Sequence, residues 1–298
     1  MSATMQQTAS ARPTPPPPAA ATRRRRVRRA ARSTGFYGFA TALAVLFLSP
    51  LVWSSVRSVT GGQATGGEGT YGTKNYERLA DYGEGLLVYL WNSVAVSALT
   101  VAGTLVVAVL AGYAFARYEF PGKNLLFLSA LAILMIPHPT ILVPLYQLFG
   151  YVGLQNSLVG LSLVLVMFQL PFALFMMRNA FEALPKELEE SALMDGCTSF
   201  GALRRVLLRA VLPSMITVGL FAFLASWNEF IAPLIFLSDG AKFTLPVALV
   251  SLRSGEFGSV DLGALQAGIV VTAIPCVLIF LLLQRHYMRG FMSGALKG

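Results

Sequence analysis

The chain is 298 residues long, 55% hydrophobic and only 12% charged, with a mean hydropathy of +0.63; these values exclude a soluble domain with an ordinary polar surface and point to a membrane protein. The net charge of +9 does not point to nucleic acid, because seven of the 23 basic residues crowd into RRRRVRRAAR, residues 23–32, beside an apolar run. There they serve as a topology signal and a contact for anionic lipid.

Residues 1–34, with PTPPPP and the arginine run, lack the apolar side chains for a core and are expected as an unstructured tail. The apolar run that follows has the length of a span and no small-residue cleavage site after it, so it reads as a retained anchor. A hydrocarbon core about 30 Å thick takes about 20 apolar residues as helix. Six segments meet that test: 35–56, 88–115, 124–148, 157–179, 211–237 and 263–284. The expected fold is therefore all-α and polytopic, with an anchor and loop over 35–87, a transmembrane body over 88–284 and a tail over 285–298. Ala108, Gly112 and Ala116, one helical turn apart, allow a neighbouring helix to approach closely. No internal repeat is evident.

Six spans place both termini on one side. If that side is cytoplasmic, only Arg57, Lys74, Arg78, Lys242 and Arg253 fall outside, and all other basic residues fall inside, the asymmetry expected of a plasma-membrane protein with cytoplasmic termini. The outer side then carries a Gly-rich loop, 60–72, and a longer one, 238–262. Cys197 and Cys276, like His138 and His286, are too isolated for a disulfide framework or a metal site, and His138, between Pro137 and Pro139, reads as a packed residue at a helix kink rather than a catalytic one.

One polar stretch interrupts this pattern: EESALMDGCTSFGALRRVLLRAVLP, residues 189–213. Pro185 suits a first helical turn, Glu187 and Glu189 favour the positive end of the helix dipole, and Gly196 is placed to end the helix in a left-handed cap. This predicts a short helix over 185–195. A second helix begins near Thr198 or Ser199, with Phe200, Leu203, Leu207 and Val211 on one face and Arg204, Arg205 and Arg209 on the other. Ser191 and Ala192 give the first helix a low-relief face flanked by carboxylates. Such a hairpin is either a solvated linker with ordinary caps or a surface that docks into another protein.

The stretch resembles the EAA loop of ABC-importer permeases, with Glu190, Ser191, Ala192, Asp195, Gly196, Val206 and Leu208 on the matching positions over a loop of 181–213. Serine replaces the first alanine, and Arg209 stands where the pattern has proline. The resemblance continues through NYERL, WNSVAVSALT, AGYAFARYEFPGK, MIPHPTILVPLYQL, SWNEFIAPLIFL and the C-terminal QRHYMRGFMSGALKG. Together these are similar to the second inner-membrane permease of maltose-type carbohydrate ABC importers.

That resemblance implies the type I importer permease fold and half of a translocation pathway for sugar. It also implies a second permease subunit as heterodimer partner, two cytoplasmic ATPase subunits and an extracytoplasmic sugar-binding protein. The chain has no phosphate-binding loop of the G-x-x-x-x-G-K-[ST] type. ATP and magnesium would be used by the ATPase partner, and the chain itself is not an enzyme. Glu190, Ser191, Ala192, Asp195 and Gly196 would be the ATPase-coupling residues, SGALKG at the C-terminus would reach between the ATPase subunits, and the loop 238–262 would meet the binding protein. Related permeases also serve solutes such as glycerol phosphate.

Trp227, Asn228 and Glu229 form a polar and aromatic group expected inside the fifth span, where an ionised side chain must face a pathway or a partner helix. They could contact sugar hydroxyls or clamp helices together. His138, Gln169 and Gln266 are weaker candidates of the same kind. Two rival classes remain: a secondary transporter, which would run without ATPase partners and show inverted repeats or broken helices in both halves, and an intramembrane serine hydrolase, for which GLSLV at 160–164 with His138 is the nearest approach.

Overall fold

The computed structural model describes residues 19–60, 71–255 and 260–295, with side chains between residues 34 and 284. Every regular element among them is helical. Residues up to Trp53 make one unit and the chain from Ser54 onward another. The first unit holds most of α1, Ala19–Val59. This helix begins ahead of the expected span, so the arginine run lies on helical backbone rather than in an unstructured tail; residues 1–18 lie outside the described residues. Its apolar side chains, among them Phe36, Phe39, Leu46 and Phe47, are exposed, as suits a surface solvated by lipid.

In the second unit a short helix, α2 (Lys74–Ala80), precedes α3 (Leu86–Arg117), which packs along α6 (Leu158–Glu182) and α9 (Leu208–Trp227). At 1.5 Å per residue, 32 residues make a helix of about 48 Å, longer than the hydrocarbon core, so α3 must tilt or project. Its contact with α6 is close because of glycine. A Cβ on Gly112 would stand 2.7 Å from Met177 Cβ and 3.0 Å from the Arg178 nitrogen, and one on Gly103 would stand 2.8 Å from Val166 Cγ2. Two apolar clusters result. One gathers Tyr89, Val96, Leu161, Phe168 and Phe236; the other gathers Ala108, Tyr113, Met177, Phe181 and Leu207.

Four of the six expected spans are single long helices, and two are broken. The segment expected over 124–148 divides into α4 (Lys123–Ala132), with a 3-10 turn to Met135, and α5 (His138–Tyr151), which meet at a bend of 106°. The cause is local: Pro137 forces Ile136 out of helical geometry, to ψ 124, and Pro137 and Pro139 bracket the first residue of the next helix, where missing N–H groups do no harm. The segment expected over 211–237 starts much earlier. Ser199–Trp227 is one helical run through α8 (Ser199–Ala202), a π-helical turn (Leu203–Leu207) and α9. It stops at Asn228, and the chain resumes as α10 (Ile231–Phe236). The last helix, α12 (Leu262–Ala295), likewise outruns its expected end at 284; residues 296–298 lie outside the described residues.

The end of the bundle where α3 begins is held by polar side chains. Asn92 Nδ2 donates to the carbonyls of Ala241 (2.9 Å) and Phe243 (3.0 Å), and Ser93 Oγ accepts from the Leu245 N–H at 2.8 Å. These bonds seat α11 (Leu245–Ser254), whose Leu245, Val247 and Ala248 are buried, so the expected surface loop 238–262 contains a core helix. Alongside, Asn75 Nδ2 donates to the Ser58 and Thr60 carbonyls, and Arg78 pairs with Asp261 at 2.8 Å. Residues 61–70 of the Gly-rich loop lie outside the described residues.

Candidate functional site

At the opposite end, between α6 and α9, stands the polar hairpin. Its first helix, α7, spans Glu187–Met194, two residues inside the expected start at Pro185. Glu187, Glu189 and Glu190 fill its first turn, where the unpaired N–H groups and the helix dipole favour negative charge. The helix ends in a Schellman cap: Cys197 N–H bonds to the Ala192 carbonyl and Gly196 N–H to the Leu193 carbonyl, both at 3.0 Å, with Gly196 at φ +85°. Two residues on, Thr198 caps the next helix, its Oγ1 accepting from Gly201 N–H at 3.1 Å. The run Asp195-Gly196-Cys197-Thr198 therefore encodes a stop, a turn and a start in consecutive residues.

The hairpin has an inner and an outer side. Ala192 is buried within it, and Leu203 and Leu207 of the second helix enter the cluster around Phe181 and Met177. Phe200, expected on that same apolar face, is instead 64% exposed. Glu190, Ser191, Asp195 and Gly196 are exposed as well, and Met194 at the tip is 88% exposed. The Ser191 hydroxyl donates to the Glu187 carbonyl at 2.7 Å. Of the five residues singled out, four thus stand on one outer surface beside large apolar side chains, and Ala192 supports it from behind. An exposed surface of Met, Phe and carboxylates can receive a protein partner.

The base of the hairpin is fastened by Tyr113 and Arg117, which sequence reasoning did not single out, and by Glu189, which it read only as a favourable charge at the helix dipole. Glu189 Oε1 accepts from the Tyr113 hydroxyl, and Glu189 Oε2 lies 3.0 Å from Arg117 Nε in an ion contact rather than an in-line hydrogen bond. Arg117 Nη2 also donates to the Leu184 carbonyl at 3.2 Å. Both charged side chains are largely shielded from solvent, 7% and 14% exposed. Nearby, the hydrogen bond and charge of Lys123, with smaller contributions from Lys186 and Arg178, hold the exposed Glu119 carboxyl below the usual carboxylate range. Arg178 pairs with Glu182 at 2.7 Å and lies over the Phe127 ring.

The other group of candidates separates. Trp227 is buried between helices, with Nε1 donating to the Thr272 carbonyl of α12 at 3.0 Å and its ring stacked on Phe223. Asn228 is exposed and donates to the Leu224 carbonyl of its own helix at 2.8 Å. Glu229, expected inside a continuous span, lies in the break after it. Its Oε1 accepts from the N–H groups of Ile231 (2.8 Å) and Ala232 (3.2 Å), capping α10. His138 stacks on Phe168 with ring centroids 4.3 Å apart, and the Ser162 hydroxyl of GLSLV donates to its own helix at Leu158. Neither side chain is arranged as a nucleophile with its base.

Gly196 permits one prediction here. A Cβ at this position meets nothing within 4 Å, yet the left-handed backbone penalises any side chain by about 1–2 kcal/mol. The importer resemblance implies that Gly196→Val leaves the protein inserted in the membrane while strongly reducing solute uptake, as checked by membrane abundance and uptake assays; undiminished uptake would contradict that implication.

Comparison with known proteins agrees with this architecture. Residues 81–292 match the model of the family described as binding-protein-dependent transport system inner membrane component. The probable ABC transporter permease YurM of Bacillus subtilis is 37% identical over 217 residues, 73% of this chain and 72% of that one. The trehalose/maltose transport system permease MalG of Thermococcus litoralis is 31% identical over 264 residues, 87% of this chain and 95% of that one. Among solved structures, a bacterial ABC transporter involved in import of the acidic polysaccharide alginate has a chain that superposes with a TM-score of 0.70 at 19% identity, over 85% of this chain and 97% of its own. With all-helical architecture and a match across most of its length, this chain belongs to the family of binding-protein-dependent transport system inner membrane components.

Proposed function

We propose that the chain is a permease subunit of an ATP-driven carbohydrate importer, oriented with the hairpin and both termini in the cytoplasm. It forms half of the pathway with a second permease subunit. Two cytoplasmic ATPase subunits, using ATP and magnesium, engage the outer surface of the hairpin, and an extracytoplasmic binding protein delivers the sugar. The observation that carries the reading is the hairpin itself: Glu190, Asp195 and Gly196 are exposed together with Met194, while the neighbouring Glu189 fastens the same helix to α3. Such a surface, rigid at its base and open at its tip, suits the receipt of mechanical work from a partner. The excess of lysine and arginine at that end supports the cytoplasmic orientation, and the sugars named for the relatives support a carbohydrate cargo.

The test is reconstitution. The chain, purified with its partners and placed in proteoliposomes with the binding protein, is expected to take up a labelled di- or oligosaccharide only when ATP is supplied on the hairpin side. Uptake without nucleotide, or purification of an active transporter free of any ATPase, would overturn the proposal.

A further inference from the structure

We infer that Glu189, Arg117 and Tyr113 form an internal lock that makes α7 and the adjoining end of α3 move as one body, so that force on the hairpin is delivered to α3. The inference rests on the proposed coupling role and goes beyond it by naming the residues that carry motion inward from the docking surface.

Two consecutive glutamates divide the work. Successive residues on a helix point about 100° apart, so when Glu190 faces outward, Glu189 faces the bundle. There each Glu189 oxygen has its own partner, the Tyr113 hydroxyl for one and the Arg117 guanidinium for the other. Arg117 holds the hairpin at a second point, the Leu184 carbonyl just ahead of α7. The lock is itself packed. Tyr113 is 6% exposed, with its ring edge-on to Phe181 and Tyr118 at 5.7 Å each. A buried charge pair of this kind leaves an uncompensated charge if either partner moves away alone, which favours joint movement over sliding.

The position of the lock on α3 decides where motion goes. At Gly112, next to Tyr113, α3 lies directly against α6, where a Cβ would stand 2.7 Å from Met177 Cβ and 3.0 Å from the Arg178 nitrogen, so a shift of α3 here is passed to α6 with little slack. The covalent routes out of the hairpin are separate: one runs back through residues 183–186 into α6, the other through the π-helical turn Leu203–Leu207 into α9. The lock adds a third, non-covalent output, to α3.

The test uses the full reconstituted complex with Glu189→Gln, Tyr113→Phe, Arg117→Met and the exchange Arg117→Glu with Glu189→Arg. Glu189→Gln is expected to retain the ATPase subunits, because Glu190 and Met194 remain in place, while solute moved per ATP hydrolysed falls about tenfold, within the usual range of coupling between sites. Tyr113→Phe should give a smaller fall, and the exchange should recover part of the ratio. A purely structural role would lower uptake and hydrolysis in proportion and leave the ratio unchanged, which would overturn the inference. A second readout is structural: spin labels at Glu187→Cys, an exposed α7 residue outside the docking set, and Glu119→Cys, with Cys197 and Cys276 replaced by serine, report the separation of α7 from the end of α3. The wild-type lock predicts one narrow distance that is the same with and without ATP, broadening in Glu189→Gln. A nucleotide-dependent distance in a complex that still performs ATP-driven uptake would sink the lock and leave the functional proposal standing. Loss of ATP dependence in the wild-type complex would instead overturn the functional proposal, and the lock with it.

Discussion

Charge reversal of Glu190 to lysine is expected to abolish ATP-driven uptake while leaving the chain folded and inserted. Glu190 is exposed, and among the described residues its carboxylate pairs with no side chain of its own chain, so its replacement breaks nothing inside the fold. What it changes is the outer surface. A carboxylate in the first turn of α7 lies with the positive end of the helix dipole and is suited to accept from a partner arginine; a lysine there opposes both. Removing one member of a desolvated interfacial pair costs about 2–5 kcal/mol, which is roughly 1.5 to 3.5 decades of affinity. Co-purification of the ATPase should fall accordingly, and uptake with it. Normal co-purification with normal uptake would place the partner's contact elsewhere.

The second large effect is on stability. Gly112→Leu is expected to prevent correct assembly of α3 on α6. Even a Cβ there would stand 2.7 Å from Met177 Cβ and 3.0 Å from backbone atoms of Met177 and Arg178, and backbone cannot swing aside as a side-chain end can. Overpacking in a flexible site costs about 1–3 kcal/mol; here the two helix axes must separate, which also pulls Tyr113 and Phe181 apart. The variant should show a lower melting temperature and a smaller monodisperse fraction in detergent, with Gly112→Ala intermediate. Unchanged melting of Gly112→Leu would mean that α3 and α6 do not approach at this residue.

Much of this was legible in the sequence where the cause is local. The short helix, the left-handed turn at Gly196 and the restart at Thr198 each follow from residues within one turn of the feature they produce. The small residues Ala108, Gly112 and Ala116 marked a close helix contact: Ala108 and Ala116 pack in the cluster shared with α6, and a Cβ on Gly112 would stand 2.7 Å from Met177 Cβ. The breaks were less visible because apolar composition continues through them. Hydropathy does not distinguish a straight span from α4 and α5 bent at 106°, although Pro137 and Pro139 carried the signal. Likewise Glu229 was read as an ion inside a span, when it lies in the break after α9 and its carboxylate caps α10, with Pro233 following in the first turn. The fastening of the hairpin was not legible at all. Tyr113 and Glu189 are 76 residues apart, and no periodicity in either segment links them; Arg117 entered only as a positive charge marking a side of the membrane.

The central claim is that the hairpin is the surface on which an ATPase acts from the cytoplasm. The most direct measurement is labelling of Met194→Cys, in a background with Cys197 and Cys276 replaced, by a membrane-impermeant maleimide. Met194 is 88% exposed, so the permease alone should react fully from the cytoplasmic side and not from the outside, and assembly with the ATPase subunits should protect it. Reaction from the outer side, or equal reaction with and without the ATPase, would contradict the account.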